Sequence, residues 1–502
     1  MAHGTHPRTR SGRALRRPLS GIAALFALAA FSVITAPLGF AGSVGSWTID
    51  ANAPNPGTSA NVLNGQACVR ATTYCLSVGD YANSGGRDQT LVEYNDSVVS
   101  SPNKTTTNDN VLLGASCVTV SDCWATGYYL TGSPGGSSQI QQTLIEGNAG
   151  RGWQIVSSPN TGMGSNLLSG VACITATNCW AVGGADISGS GVTLQPLFEH
   201  YAGHGWSVVA GPQVPGDTEL FDVSCVNASD CWAVGATFAG AGSQTLIEHY
   251  NGSAWSVVSG PASTDSSNEL HGVSCVASND CVAAGWRGTS GTQTLIEKYN
   301  GTAWSIVNSP NGPDTGSQVT DELLGVSCAS RTFCAAVGYY YNGTVYVTLM
   351  LQSTGGAWAI VSSPSPAGSF YSPLLAVDCT GGCWAVGSAS PSGAQQVLSE
   401  HRTGDSTNTV VSCAPNPVTL HSRTTCTAHV VDTGLTSNVP GGNVRWSGGP
   451  GTFNAVACAL KSSGSCSVTF TPSATGSQSL SATYRGDATH AGSYGSTTLH
   501  VT

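Results

Sequence analysis

The sequence predicts an all-β protein: a seven-bladed β-propeller of four-stranded blades, its last blade closed by the N-terminal strand, followed by a small β-sandwich. Three observations carry this. Cysteine pairs recur seven times at near-constant spacing. Each pair is followed by the same order of short apolar stretches and turns. A strand-like segment precedes the first repeat, while the last repeat lacks its counterpart.

The leading cysteines are Cys68, Cys117, Cys173, Cys225, Cys275, Cys328 and Cys379, in steps of 49, 56, 52, 50, 53 and 51 residues. Their partners are Cys75, Cys123, Cys179, Cys231, Cys281, Cys334 and Cys383. The text "CWAVG" or a near copy follows at 123, 179, 231 and 383. One unit reads from 220 to 259: "LFDVSC", a polar turn "VNASD", "CWAVGATF", a loop "AGAGS", "QTLIEHY", a turn "NGSA" and "WSVVS". That is four hairpin-linked strands, with Asn-Gly at 251–252 and 300–301 read as two-residue turns whose residues both tolerate positive φ. A linear solenoid is the alternative. It is disfavoured because "SWTID" at 46–50 matches the fourth-strand text ahead of the first unit, and the seventh unit ends after "QQVLSEH" (395–401) without a Trp strand. The N-terminal segment then completes the last blade and hides the edges that an open array would expose.

The cysteines of each pair bracket the first turn, so a disulfide there staples a hairpin if the Cα atoms approach to about 4.4–6.8 Å. Each such short loop is worth only ~2 kcal/mol. The Trp and Val that follow alternate with Ala and Gly, a pattern that reads as packing between neighbouring blades.

After residue 403 the pattern changes. A polar linker (404–407) leads into residues 408–502, which alternate apolar and polar with frequent turns, as in a small sandwich. Cys413 pairs with Cys426 and Cys458 with Cys466 by proximity, which uses all 18 cysteines. Metal binding by the cysteines is disfavoured, since the dominant spacing is C-x5-C and no histidines accompany the pairs.

The repeats resemble the "W-A-V-G … E-H-Y-N-G-x-x-W-S-V-V" arrays of exported proteins in high-GC Gram-positive bacteria. They lack the signatures of kelch, WD40 and sialidase-type propellers. With "GGNVRWSG" and the Y-x-G-D text at Tyr484, Gly486 and Asp487, the C-terminal fifth resembles bacterial Ig-like domains. That resemblance implies a spacer or adhesion module and no chemistry of its own.

Residues 1–41 read as a secretory signal peptide: Arg8, Arg10, Arg13, Arg16 and Arg17, then the apolar run 21–36, then small Gly39 and Ala41. An uncleaved anchor is the rival reading. Removing them takes Lys+Arg from 17 to 12 and leaves Asp+Glu at 27, so the net charge moves from −10 to −15. A chain this acidic repels phosphate backbones, which argues against nucleic acid as a partner. No second apolar run is long enough to span a membrane. The expectation is a secreted or cell-surface-associated monomer without cofactor or metal.

No nucleophile, metal or phosphate-binding motif occurs. Glu93, Glu146, Glu199, Glu248, Glu297 and Glu400 share one repeat position. They read as a solvated row on an outer strand rather than as a site. In the first strands, quoted from "LNGQAC" to "LLAVDC", only Asp222, His271 and Asp378 are ionisable, poor material for a glycosidase or lyase. The stapled turns lie on one face of the disc, and long, varied loops lie on the other, where function usually resides. Aromatic residues start several of these loops. Tyr81, Tyr128, Tyr129, Trp286, Tyr339, Tyr340 and Tyr341 are the candidate ligand contacts, with Phe238 beside them. Covering the rim of the core is their alternative role. Asp80, Asp186, Asp217, Asp314 and Asp321 on that face lack a calcium-loop pattern. The leading functional reading is a non-enzymatic binding protein for a glycan or an extracellular protein. The alternatives are a carbohydrate-active enzyme and a structural envelope protein.

Overall fold

The computed structural model describes residues 46–502 except 51–52, 71, 73, 134–138, 149, 151, 190–192, 241, 314–318, 355, 381–382, 392, 404–406, 433–438 and 488–489. The signal-peptide assignment, Asp314 and most of the linker therefore lie outside the described residues. Among the described residues every regular element is a strand, and no helix is long and apolar enough to cross a membrane.

The repeat region is propeller-like. Each cysteine pair belongs to one four-stranded antiparallel set, as in Asp217–Asn227, Asp230–Ala239, Gly242–Tyr250 and Trp255–Val257. One parallel pairing, Ser243 with Ser267, links this set to the next. In the last unit the fourth strand is Ser46–Ile49, which pairs with Gln396–Thr403 in the register Trp47–Arg402.

The first strands of successive units pack side by side, and two sequence positions explain how. Three residues before the leading cysteine, Gly65, Gly114, Gly170, Gly272 and Gly325 each abut the next unit's backbone. A Cβ on Gly114 would come within 2.8 Å of the Ser169 carbonyl oxygen. One residue before that cysteine, a side-chain oxygen accepts the N–H of the next unit's cysteine: Ser116 from Cys173, Ser224 from Cys275, Ser274 from Cys328 and Ser327 from Cys379, each at 3.0 Å. The same position in the last unit is Asp378, whose Oδ2 accepts the N–H of Cys68 at 2.8 Å. Where the position is Ala67 or Ala172, no such oxygen exists.

The repeated tryptophans pack across the boundaries between sheets. Trp124 meets Trp206, Trp180 meets Trp255 and Trp232 meets Trp304, edge to face at 5.3–5.4 Å. Tyr201, Tyr250 and Tyr299 complete these seams. Such pairs add about 0.5–1.5 kcal/mol each beyond the area they bury.

All nine disulfides join neighbours, and no described cysteine is free. The seven repeat pairs are Cys68–Cys75, Cys117–Cys123, Cys173–Cys179, Cys225–Cys231, Cys275–Cys281, Cys328–Cys334 and Cys379–Cys383. Their Cα separations of 4.0–4.1 Å are closer than the expected window. The reason is that in most of these hairpins the two cysteines sit directly opposite each other, as Cys117 does with Cys123 at 4.1 Å. Labelling under denaturing, non-reducing conditions is expected to find no reactive thiol, and peptide mapping to find only local links such as Cys225–Cys231. Two or more thiols per chain would contradict this pairing.

The Asn-Gly turns differ from expectation. Tyr250 pairs with Trp255, so the loop has four residues, and only Gly252 has positive φ, at 91°. Asn251 instead folds its side chain over the turn: Oδ1 accepts the N–H groups of Ser253 and Ala254 at 3.0 and 3.1 Å. The two-residue form with both φ positive occurs in the first unit, at Asn95-Asp96.

The C-terminal sandwich begins one residue early, at Thr407. Its two four-stranded sheets close over Val444, Trp446, Phe470, Leu480 and Tyr484. Cys413–Cys426 lies within one sheet, and Cys458–Cys466 joins the two. Asp487 of the Y-x-G-D text accepts the Gly441 N–H at 2.7 Å and holds His490 at 2.8 Å, which fixes that corner.

Candidate functional site

Beyond its glycine ("CWATG" and kin) each second strand runs on toward the long-loop face, and strand alternation sorts the aromatics there. The residue after the glycine faces inward. Tyr128 packs on Val111 and Leu167 and is 5% exposed; Tyr339 is 8% exposed. Both were expected to be ligand contacts, and both are core residues instead. Trp286 occupies the same position and is half-buried. The next residue faces the other way, and there Tyr81 and Tyr129 each wall a cleft. Tyr340 shares that position but packs against Gly312, and Tyr341 packs on Tyr346.

The two clefts are equivalent by repeat. That of the second unit, about 270 Å³, is lined by Tyr129, Thr143, Ile155, Ser158 and Asn160, with Lys104 at the rim. That of the first unit, about 220 Å³, is lined by Tyr81, Thr90, Val98, Ser100 and Ser101, with Pro56 at the rim. A fixed hydroxyl network forms each floor. Asn160 Oδ1 accepts the Thr143 N–H at 2.9 Å, and Ser158 donates to Thr143 Oγ1 at 2.7 Å. In the first unit Asn103 and Ser101 do the same for Thr90, at 2.9 and 2.8 Å.

Beneath the floors lie the repeated glutamates, and here the expectation of a solvated row is overturned. Glu93, Glu146, Glu199, Glu248, Glu297 and Glu400 are at most 1% exposed. The third strand is interior: Glu199 sits between Ala181 and Val208 on its neighbours, and the preceding unit's Ser-Pro loop covers it. Burial pushes each carboxyl up to about 8, so these groups are protonated at neutral pH. Three lie within hydrogen-bond distance of a serine hydroxyl on the preceding loop: Glu146 of Ser101 at 2.7 Å, Glu199 of Ser158 at 2.9 Å and Glu400 of Ser363 at 3.0 Å; because Ser101 and Ser158 give their own hydrogens to threonine, the protonated Glu146 and Glu199 donate to them. Where that loop carries Gly211, Glu248 has no partner for either oxygen. The sixth unit places Leu351 at this position.

The first strands begin before their leucines, and this adds three acids that the leucine-to-cysteine texts do not contain. "TEL", "NEL" and "DEL" place Glu219, Glu269 and Glu322 at one position in three successive units. Glu322 accepts the Tyr339 hydroxyl at 2.5 Å, and burial raises its carboxyl. His271 lies 3.2 Å from Glu269 and stacks flat on Phe221, with ring centroids 4.7 Å apart. Glu269, His271 and Phe221 are half-buried and engage one another at this position. Asp222 and Asp378 are structural acceptors: Asp222 takes the Val223 and Val273 N–H groups at 2.8 and 2.9 Å. Asp80, Asp186, Asp217 and Asp321 accept nearby donors from Asn64, Ser188, Leu194 and Gly312. Among the described residues no three His, Cys, Asp or Glu side chains converge as a metal site would require.

A profile for bacterial Ig-like domains (group 3) matches residues 411–502. No curated protein matches the chain. Among solved structures, YCF48 bound to D1 peptide is similar at 11% identity and TM-score 0.43, over 71% of this chain and 97% of that one. The Trypanosoma rangeli sialidase in complex with a difluorinated KDN is similar at 9% identity and TM-score 0.36, over 68% and 54% of the two chains. A polysaccharide lyase of family PL25, an ulvan lyase, is similar at 8% identity and TM-score 0.40, over 68% and 94%. No residue role is carried over from any of them.

Proposed function

We propose that this is an exported carbohydrate-binding protein: residues 42–403 form a closed ring of seven blades, and residues 408–502 form an Ig-like spacer. The Asp378–Cys68 hydrogen bond and the pairing of Ser46–Ile49 with the last unit support closure. Nine disulfides suit an oxidising compartment.

The observation that carries the reading is the repeated cleft. Tyr81 and Tyr129 offer an aromatic wall, and the Ser-Thr-Asn floor offers fixed hydroxyl and amide groups. A sugar ring needs that combination, an apolar face for its C–H groups and polar atoms for its hydroxyls. The acids that could serve hydrolysis, Glu269 and Glu322, are engaged with His271 and the largely inaccessible Tyr339, which favours binding over turnover.

The test is retention of the purified protein on a panel of insoluble polysaccharides, with the supernatant assayed for released sugars. Tyr81→Ala and Tyr129→Ala are each expected to lower retention several-fold while keeping a single cooperative melt, with Tm lower by no more than a few degrees, as suits half-buried side chains at the edge of the core. Unchanged retention in the double variant would overturn the reading, and soluble products released from the bound polysaccharide would turn it into an enzyme.

A further inference from the structure

We infer that the cleft of the second unit is a subsite for a carboxylated sugar, a uronic acid residue of an acidic polysaccharide, with Lys104 as its charge partner and Tyr129 as its platform. The inference rests on the carbohydrate reading above and assigns the class of sugar.

The two equivalent clefts differ most at the rim. Pro56 stands at one and Lys104 at the other. Lysines are scarce, with only Lys104, Lys298 and Lys461 in the chain. Lys298 is held by Asp280 at 3.2 Å, whereas Lys104 makes no ion pair with a described residue. Its ammonium lies 5.9 Å from the centroid of the Tyr129 ring. That is the outer limit of a cation–π contact, worth only about 0.5–1 kcal/mol at an exposed site, and it is readily exchanged for a carboxylate.

The backbone beneath Lys104 is fixed. Its N–H and that of Thr105 donate to Asn110 Oδ1 at 2.9 and 3.2 Å, and the Asn110 amide donates back to the Thr105 carbonyl at 2.7 Å. Asn110 is itself fully buried. The lysine therefore springs from an ordered loop, so little backbone entropy is lost when its side chain is engaged.

The chain carries a net charge of −10, so a polyanion gains no long-range attraction to it. Preference for an acidic sugar must then come from this local cation. The ring would lie against Tyr129, its hydroxyls toward Ser157 and Asn160, and its carboxylate at the Lys104 rim.

The experiment compares two probes that differ only at the carboxyl group: an oligogalacturonate and its fully methyl-esterified form, titrated calorimetrically into the full chain at low and high salt. The acid form is expected to bind about 3–10-fold tighter at low salt, with the difference shrinking at high salt. Lys104→Gln should erase the preference by weakening the acid form more than the ester, and Lys104→Arg should keep it. Equal binding of both probes, or a preference that survives Lys104→Gln, overturns this inference and leaves the carbohydrate reading standing. Failure of the wild-type protein to bind either probe overturns the inference; failure to be retained by every polysaccharide as well overturns the carbohydrate reading.

Discussion

Trp47→Ala is expected to destabilise the repeat region by about 3–5 kcal/mol, the usual cost of emptying a buried tryptophan site. Trp47 is buried against Phe333, Ala335, Met350 and Leu398, on the strand that completes the last sheet. At ~2 °C per kcal/mol, the lower end for larger domains, Tm should fall by roughly 6–10 °C. Deleting residues 46–50 should do more. Gln396–Thr403 would lose the partner that pairs with four of its residues, from Glu400 to Thr403. An uncovered edge recruits other chains, so the deletion variant is expected to aggregate on mild heating. Residues 407–502 carry their own core and two disulfides and should keep their transition. Differential scanning calorimetry with light scattering reads both effects. A deletion variant that stays monomeric and melts like the parent would show that the N-terminal strand does not complete the last sheet, and the seven-bladed closed ring would fall with it.

Thermal stability is expected to decline between about pH 5 and pH 8 and to level off above that. The six buried glutamates hold their protons to about pH 8 in the folded state, while in the unfolded chain they lose them near 4.3. The folded state therefore binds more protons across that window. The stability tied to this proton is fully present below about pH 4 and is lost as pH rises through 8, at up to ~1.4 kcal/mol per pH unit for each carboxyl. Asp96, which takes the tryptophan position in the first unit, adds to the trend: burial and the facing Asp50 push it up to about 6. The most informative variant is Glu248→Leu. Neither oxygen of Glu248 has a partner, and the sixth unit already carries Leu351 there. The variant should be more stable than the parent at pH 8.5, close to it at pH 5, and flatter between them. A parent Tm that rises from pH 5 to pH 8, or a Glu248→Leu variant with an unchanged pH profile, would mean that these carboxyls are ionised when folded.

The buried glutamates show where reading along the chain runs out. In "QTLIEHY" the glutamate alternates with apolar residues, and that pattern alone suits a strand with one wet face. What buries Glu199 is Ser158, 41 residues earlier, on a loop that follows another unit's fourth strand. The signal along the chain is only partial: Ser-Pro precedes the units with Glu146, Glu199 and Glu400 but also the one with Leu351, and Gly-Pro precedes Glu248 and Glu297. It becomes readable once the strands are known to lie on one another. The first-strand acids were nearer to hand. Glu219, Glu269 and Glu322 stand just before the leucines where the apolar text begins, and strand ends are poorly marked by local pattern.

The cleft tyrosines make the same point at shorter range. Tyr128 and Tyr129 are adjacent and chemically identical, and a one-residue difference in phase exchanges core for surface. That phase runs unbroken along the second strand from Trp124 and Ala125, whose register with the third strand has no shift.

The sequence by itself determined what depends on nearest neighbours along the chain. The cysteine spacing dictated nine local disulfides, the recurring strand text dictated four strands per unit, and the stray Trp47 strand dictated its pairing with the last unit. Each is a short-range constraint, or a copy of one, and repetition made it legible. Only the tertiary structure decided which face of a strand is covered. It withdrew the glutamates from water and split the tyrosine pairs between core and cleft. It also turned Asp222 and Asp378 into acceptors for the next unit's backbone. The reason is physical: burial and charge state depend on what lies a few ångströms away in space, and in a stacked array of sheets that neighbour belongs to another repeat.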